Sequence, residues 1–275
     1  MGRTSIADAF AGARLDGRGT LIAYLTMGHP SASSSLRAIE IIGASGADVI
    51  EIGWPAARPY LDGPIIRASH KQAMAAFAVG VDSPKTVLAR AAQVTDRPLV
   101  LMGYKNELMA IPDVLPGCLY RGEIAGVLIP DADTDELKRI GVQGQPGLFD
   151  PAMDAREIER AAMEAHGFAY VRTGVGCTGR QADLSHGDLS ALAGSIRRSR
   201  PDLPVAIGFG LSTPEDVARS MALGFDGAIV GSAIVRYIND QDWTGLALFV
   251  SALAASSRRP AAEVKTDEHG SHSCH

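Results

Sequence analysis

The sequence predicts an α/β protein folded as one (β/α)8 TIM barrel, and three observations carry that prediction. Eight short apolar runs recur along the chain; helical patterns that stop at glycines lie between them; and the length, 275 residues, suits one barrel of about 250. The runs are near-continuously hydrophobic rather than alternating, so both faces of each strand are covered, as in a parallel sheet flanked by helices.

In chain order the expected strands are Leu21–Met27, Asp48–Ile52, Leu99–Tyr104, Gly126–Pro130, Gly147–Phe149, Phe168–Arg172, Val205–Phe209 and Asp226–Val230. Asp154-Ala155-Arg156-Glu157 opens a helix that runs to near Gly167. Ser212-Thr213-Pro214-Glu215-Asp216 opens another, with a hydroxyl cap, proline in the first turn and acids where the macrodipole favours them; it stops at Gly224. Gly46, Gly167 and Gly224 each precede a strand, as left-handed helix-ending residues do. Leu246–Ala255 reads as a buried helix, too short for a membrane span of ~20 residues. Residues 1–257 therefore form the barrel, and the polar stretch 258–275 reads as a disordered tail. A doubly wound open sheet is the alternative, but no GxGxxG follows the first strand.

Composition narrows the function. Hydrophobic residues are 46% and charged residues 21%, with a net charge of −5. Neither a nucleic acid nor a membrane surface is the expected partner, since both favour a basic face. Three scattered cysteines and no leader pattern suit a reducing cytoplasm. Glycine is the one excess, 30 residues against an average share of about 7%.

Candidate chemistry begins with Glu51, an acid inside the apolar strand Asp48-Val49-Ile50-Glu51-Ile52 and close to its C-terminal end. Barrels carry their active sites at that end, and a carboxylate there is costly to bury unless paired, protonated or catalytic. An outward Glu paired with a helix-borne Arg explains the residue equally well. Asp62, in Leu61-Asp62-Gly63-Pro64, taken alone reads as a turn; with Glu51 it supplies a second carboxyl in a different setting, the arrangement that provides an acid and a base near neutral pH. Three glycine-rich runs follow late strands: Gly174 to Gly179, Gly208-Phe209-Gly210, and Gly231-Ser232. Tight turns would explain any one; together they suggest a phosphate cradle of backbone N–H groups. Tyr24, Tyr104 and Tyr170 lie near strand ends, where they line the mouth or fill the core. Cys177 has no base beside it in sequence and reads as a bystander thiol; His269, His272, Cys274 and His275 read as solvated.

Glu51 within Ile-Glu-Ile-Gly, Asp62 within Leu-Asp-Gly-Pro, Gly208-Phe209-Gly210 and Gly231-Ser232-Ala233-Ile234-Val235, in this order, resemble the tryptophan synthase alpha chain. Leu25-Thr26-Met27-Gly28, Met102-Gly103-Tyr104-Lys105-Asn106, Ile129-Pro130-Asp131 and Thr178-Gly179 support the likeness, which covers roughly the first 255 residues. The resemblance implies a lyase that cleaves indole-3-glycerol phosphate to indole and glyceraldehyde 3-phosphate by a retro-aldol reaction, with no metal or organic cofactor. It implies that Glu51 protonates indole C3 and that Asp62 holds the indole N–H. Tyr170 would position Glu51, and Tyr24 and Tyr104 would border the indole. Gly179, Gly208, Gly210, Gly231 and Ser232 would hold the phosphate, with Thr178 on a closing loop.

The chain departs from the family in partner-facing and lid residues. Pro55-Ala56-Ala57-Arg58-Pro59 replaces Pro-Phe-Ser-Asp-Pro, Gly28-His29-Pro30 replaces Gly-Asp-Pro, and Arg172-Thr173-Gly174-Val175-Gly176 replaces a Ser-Arg segment. The resemblance thus implies a lyase whose coupling to a beta chain (an alpha2beta2 partner) is altered or absent. A standalone lyase, a silent partner-binding subunit and another phosphate-binding barrel are the alternatives.

Overall fold

The computed structural model describes residues 4–112, 114–172, 187–208 and 210–259. All eight expected strands are present: β1 Thr20–Thr26, β2 Val49–Gly53, β3 Leu99–Met102, β4 Gly126–Leu128, β5 Gly147–Phe149, β6 Ala169–Arg172, β7 Val205–Gly208 and β8 Gly227–Val230. Every pairing is parallel, and the hydrogen-bonded order is β4-β3-β2-β1-β8-β7-β6-β5. That order is a (β/α)8 barrel, with β4 and β5 as the two ends of its ladder.

Strand periodicity divides the apolar residues into two cores. Ile22, Tyr24, Val49, Val100, Met102, Leu128, Tyr170, Ala206 and Ile229 fill the lumen, while alternate residues such as Leu21, Ile50, Leu101, Val171 and Ile207 pack outward beneath the helices. The floor of the lumen is closed by a helix that the strand count does not foresee, Ile6–Leu15, capped by a reciprocal Ser5–Asp8 box. Its Phe10 meets Phe168 with ring centroids 5.6 Å apart.

No ladder joins β4 to β5 among the described residues, but a side chain crosses between them. Gln145 accepts the Ile129 N–H at 2.7 Å and donates to the Ile129 carbonyl at 3.2 Å. One side-chain amide thus takes the place of a neighbouring strand's peptide group.

The helix signals are also realised. Asp154 caps Ala155–Glu164 with a Glu157 capping box. The helix from the Ser212–Asp216 segment spans Pro214–Ala222, and its cap is Thr213 rather than Ser212, because Asp216 closes the box with Thr213 and also accepts the Ser212 N–H. Gly46, Gly167 and Gly224 all have positive φ. Trp243–Ser256 forms the expected apolar helix, and no helix among the described residues is long and apolar enough to cross a membrane.

Arg258 and Arg259, placed in the tail by composition, lie against the barrel floor. Arg258 bridges to Arg18, and Arg259 donates to Asp226 at 2.7 Å. Asp226 also accepts from the Val205 N–H and from Arg197. Burial pushes its carboxyl up, but these donors outweigh burial and hold it below the usual range. Residues 260–275, with His269, His272, Cys274 and His275, lie outside the described residues.

Candidate functional site

The C-terminal ends of the strands open onto a cavity with about 660 Å³ of space between atoms, part of it open to solvent. Tyr24, Glu51, Met102, Leu128, Leu148, Tyr170 and Ile229 bring seven different strands to its wall, and Asp62, Gly210, Gly231 and Ser232 arrive from the loops above them. The structure therefore brings together seven of the residues singled out in the sequence: Glu51, Asp62, Tyr24, Tyr170, Gly210, Gly231 and Ser232.

Glu51 faces the lumen because it shares the parity of Val49 on β2; it stands beside Tyr24 of β1 and is 3% exposed. The outward, Arg-paired alternative is thereby excluded. Burial, then the charge of Asp62, pushes its carboxyl up to about 8, so it holds a proton at neutral pH. Asp62 sits in the turn that enters the helix Pro64–Val79, yet its side chain turns inward and is 2% exposed. Tyr104 donates to its Oδ2 at 2.6 Å. Burial raises this carboxyl to about 6, against the opposing effects of that hydrogen bond and of Arg67. Two acids in one cavity thus have separated titrations, the higher belonging to the one deeper in the strand wall.

The tyrosines take three distinct positions. Tyr24 and Tyr170 line the cavity, whereas Tyr104 stands behind Asp62, also accepting the Leu61 N–H at 3.2 Å, and meets Tyr60 in a tilted ring pair at 5.1 Å. Tyr60 and the Lys105 N–H share Asp131, which ties the loops after β2, β3 and β4 together.

Two glycines make room for the tyrosines. A Cβ at position 208 would stand 2.5 Å from the Tyr170 ring, and one at position 53 would overlap the Tyr24 hydroxyl. Gly208 therefore seats the Tyr170 ring. Gly210 and Gly231 line the cavity, and Gly231 begins the helix Ser232–Asn239 without a side-chain cap. Among the described residues no side chain caps its first N–H groups, in contrast to the Thr213 helix, whose entry is filled by Asp216. Thr178, Gly179, the rest of the Gly174–Gly179 run with Cys177, and Phe209 lie outside the described residues.

Sequence reasoning missed His70. It is fully buried on the helix Pro64–Val79, accepts the Ala56 N–H on Nδ1 at 3.1 Å, and places Nε2 3.2 Å from the Tyr24 hydroxyl. Its signal was the Ile66, Ser69, His70, Ala73 stripe, in which two polar residues occupy core-facing positions. Arg172, noted only as a departure, lines the cavity and lies 3.6 Å from Asp150.

Residues 10–261 match the family model described as tryptophan synthase alpha chain. The alpha chain of Halorhodospira halophila is 36% identical over 86% of this chain and 88% of its own length. That of Chloroflexus aurantiacus is 31% identical over 93% and 99%. Among solved structures, a chain of Mycobacterium tuberculosis tryptophan synthase superposes with a TM-score of 0.82 at 25% identity, covering 94% of this chain and all of that one.

Proposed function

The chain belongs to the tryptophan synthase alpha chain family, whose members cleave indole-3-glycerol phosphate to indole and glyceraldehyde 3-phosphate, and we propose that Glu51 and Asp62 divide the acid–base work of that cleavage in this protein. The protein is a carbon–carbon lyase. What carries our assignment of roles is the separation of two carboxyls in one apolar-walled cavity: Glu51 at about 8 and Asp62 at about 6.

Indole C3 carries the glycerol phosphate chain and must gain a proton before the C–C bond can break. Protonated Glu51 gives that proton, and the ring becomes an indolenine cation. Ionised Asp62 accepts a hydrogen bond from the indole N–H and stabilises the positive charge that develops there. Glu51, now a carboxylate, takes the proton of the hydroxyl on the carbon next to C3. The C–C electron pair returns to the ring, indole forms, the hydroxyl carbon becomes the aldehyde of glyceraldehyde 3-phosphate, and Glu51 regains its proton. Tyr170 packs beside Glu51, Tyr24 borders the ring, and Tyr104 holds Asp62. Gly210, Gly231 and Ser232 take the phosphate at the uncapped helix start, and the family resemblance adds Gly208, Gly179 and Thr178 to that set.

The family ordinarily works with a beta chain. We propose that the coupling is altered here, because Arg58 is exposed where the family carries an acid, and we place the reaction in the cytoplasm. Purified protein with indole-3-glycerol phosphate, followed by indole release, tests both readings. Glu51→Gln and Asp62→Asn should each lose roughly 10²–10⁴-fold in kcat. A Glu51→Gln protein as fast as wild type would remove the mechanism. Strong stimulation by an added generic beta chain would remove the altered coupling.

A further inference from the structure

His70 lies at the centre of a hydrogen-bond chain whose direction is determined from both ends. At one end the Ala56 N–H can only donate, so Nδ1 is an acceptor and the neutral ring carries its proton on Nε2. At the other end, the Ser69 hydroxyl donates to the Ile66 carbonyl at 2.7 Å, so its oxygen accepts from Thr26 at 2.6 Å. Thr26 in turn accepts from Tyr24 at 3.3 Å, which leaves the Tyr24 oxygen to accept from Nε2–H. The two ends require the same tautomer. The same Nε2 nitrogen lies 3.7 Å from Asp62 Oδ2, which puts the N–H dipole beside the carboxylate without a hydrogen bond to it.

We propose that His70 is a positioning residue for the lyase: it ties the backbone of the Pro55–Pro59 segment to Tyr24 and Asp62, so both side chains hold their places only while that segment is seated. Ala56 is buried, with its N–H on His70, and the exposed Ala57 donates its N–H to Glu107 at 3.1 Å. The segment that departs most from the family is thus attached through one imidazole to the acid that meets the indole N–H. This rests on the lyase reading above.

The two ring nitrogens can be imitated separately. The amide of Gln reaches as far as Nε2, and that of Asn only as far as Nδ1. Wild type, His70→Leu, His70→Gln and His70→Asn are compared as full-length protein, with kcat and KM for indole release, and the Asp62 carboxyl titration followed by its carbon-13 shift. The groups around that carboxyl, Glu51, Tyr104, Tyr24, Tyr170 and Arg67, stay constant across the set. His70→Leu should lose at least about tenfold in kcat, with KM within about threefold, as expected for a displaced reacting geometry. Its Asp62 midpoint should rise, because the N–H dipole beside the carboxylate is gone. His70→Gln, which keeps a donor at the Nε2 position but loses the acceptor of the Ala56 N–H, should restore the Asp62 midpoint but not kcat, and His70→Asn, which keeps only the Ala56 end, should restore neither. A folded His70→Leu protein with wild-type kcat and an unmoved midpoint overturns the proposal, as does a His70→Gln protein with wild-type kcat or full rescue by Asn. If wild type releases no indole while the Asp62 midpoints still follow this order, the lyase reading falls and the His70 tie stands.

Discussion

Glu51 shows how position alone alters a side chain's chemistry. The same carboxyl on a helix surface would ionise near 4; in the lumen, walled by Tyr24, Tyr170 and Ile229, it keeps its proton to about 8. Asp62 ionises first, at about 6, and its charge is a reason for Glu51 to stay protonated. The working state, Asp62 ionised and Glu51 protonated, therefore fills the interval between them. We expect kcat/KM for indole release to rise through about 6 and to fall through about 8, a bell whose limbs belong to the pair. Asp62→Asn should remove the lower limb and bring the upper one down, since it removes the charge that raises Glu51. A flat profile from pH 5 to 9, about two units either side of neutrality, would contradict this assignment. Glu51 was legible as an anomaly in the sequence because a lone acid breaks an apolar strand. His70 was not, because a histidine on an amphipathic helix has no such contrast, and its partners Ala56 and Tyr24 lie 14 and 46 positions away.

At the scale of elements, the strands were readable because each is a short run buried on both faces, so composition alone marks it. The N-terminal helix was not singled out, because Ile6, Ala9, Phe10 and Ala13 acquire meaning only from the lumen floor they cover. Gly208 also gives the Tyr170 ring the space it needs, a fact about the adjacent strand that local sequence does not contain. The β4–β5 boundary was also hidden, since nothing local in β5 shows that its ladder partner is missing on one side. Gln145 supplies the replacement. Gln145→Ala should cost about 1–3 kcal/mol, because it leaves the Ile129 N–H without its acceptor and the carbonyl with the Ala132 N–H alone. Urea unfolding measures that loss, and amide exchange at Ile129 should quicken more than at Leu101 in the middle of the sheet. Equal exchange at the two sites would place the strain elsewhere.

The whole molecule carries an energetic cost for its site. Both Glu51 and Asp62 have folded pKa values above their unfolded ones, so the unfolded chain releases protons that the folded chain retains. Their favourable share is complete below about 4 and is lost as pH rises through about 6 and then about 8. His29 and His70, both pushed down to about 4 by burial, add stability as pH rises to about 6.5, so the decline from the two carboxyls should show chiefly above that, where acids held low by partners, such as Glu123 and Glu136, contribute no slope. The inactive Glu51→Gln protein should melt a few degrees higher than wild type near pH 8 and no higher near pH 5, as read by calorimetry at matched ionic strength. A lower melting point at both pH values would mean that the acid helps to hold the barrel together.

The gap in the ladder also sets how one side of the cavity is built. Leu128, Pro130 and Leu148 form one side of the cavity, and they stand on, or just beyond, the two strands that share no ladder. That wall is joined by side chains instead of strand peptides: the Gln145 amide on Ile129 and the Thr134 hydroxyl on Glu164, while the laddered circumference from β4 round to β5 carries Glu51, Tyr24 and Tyr170.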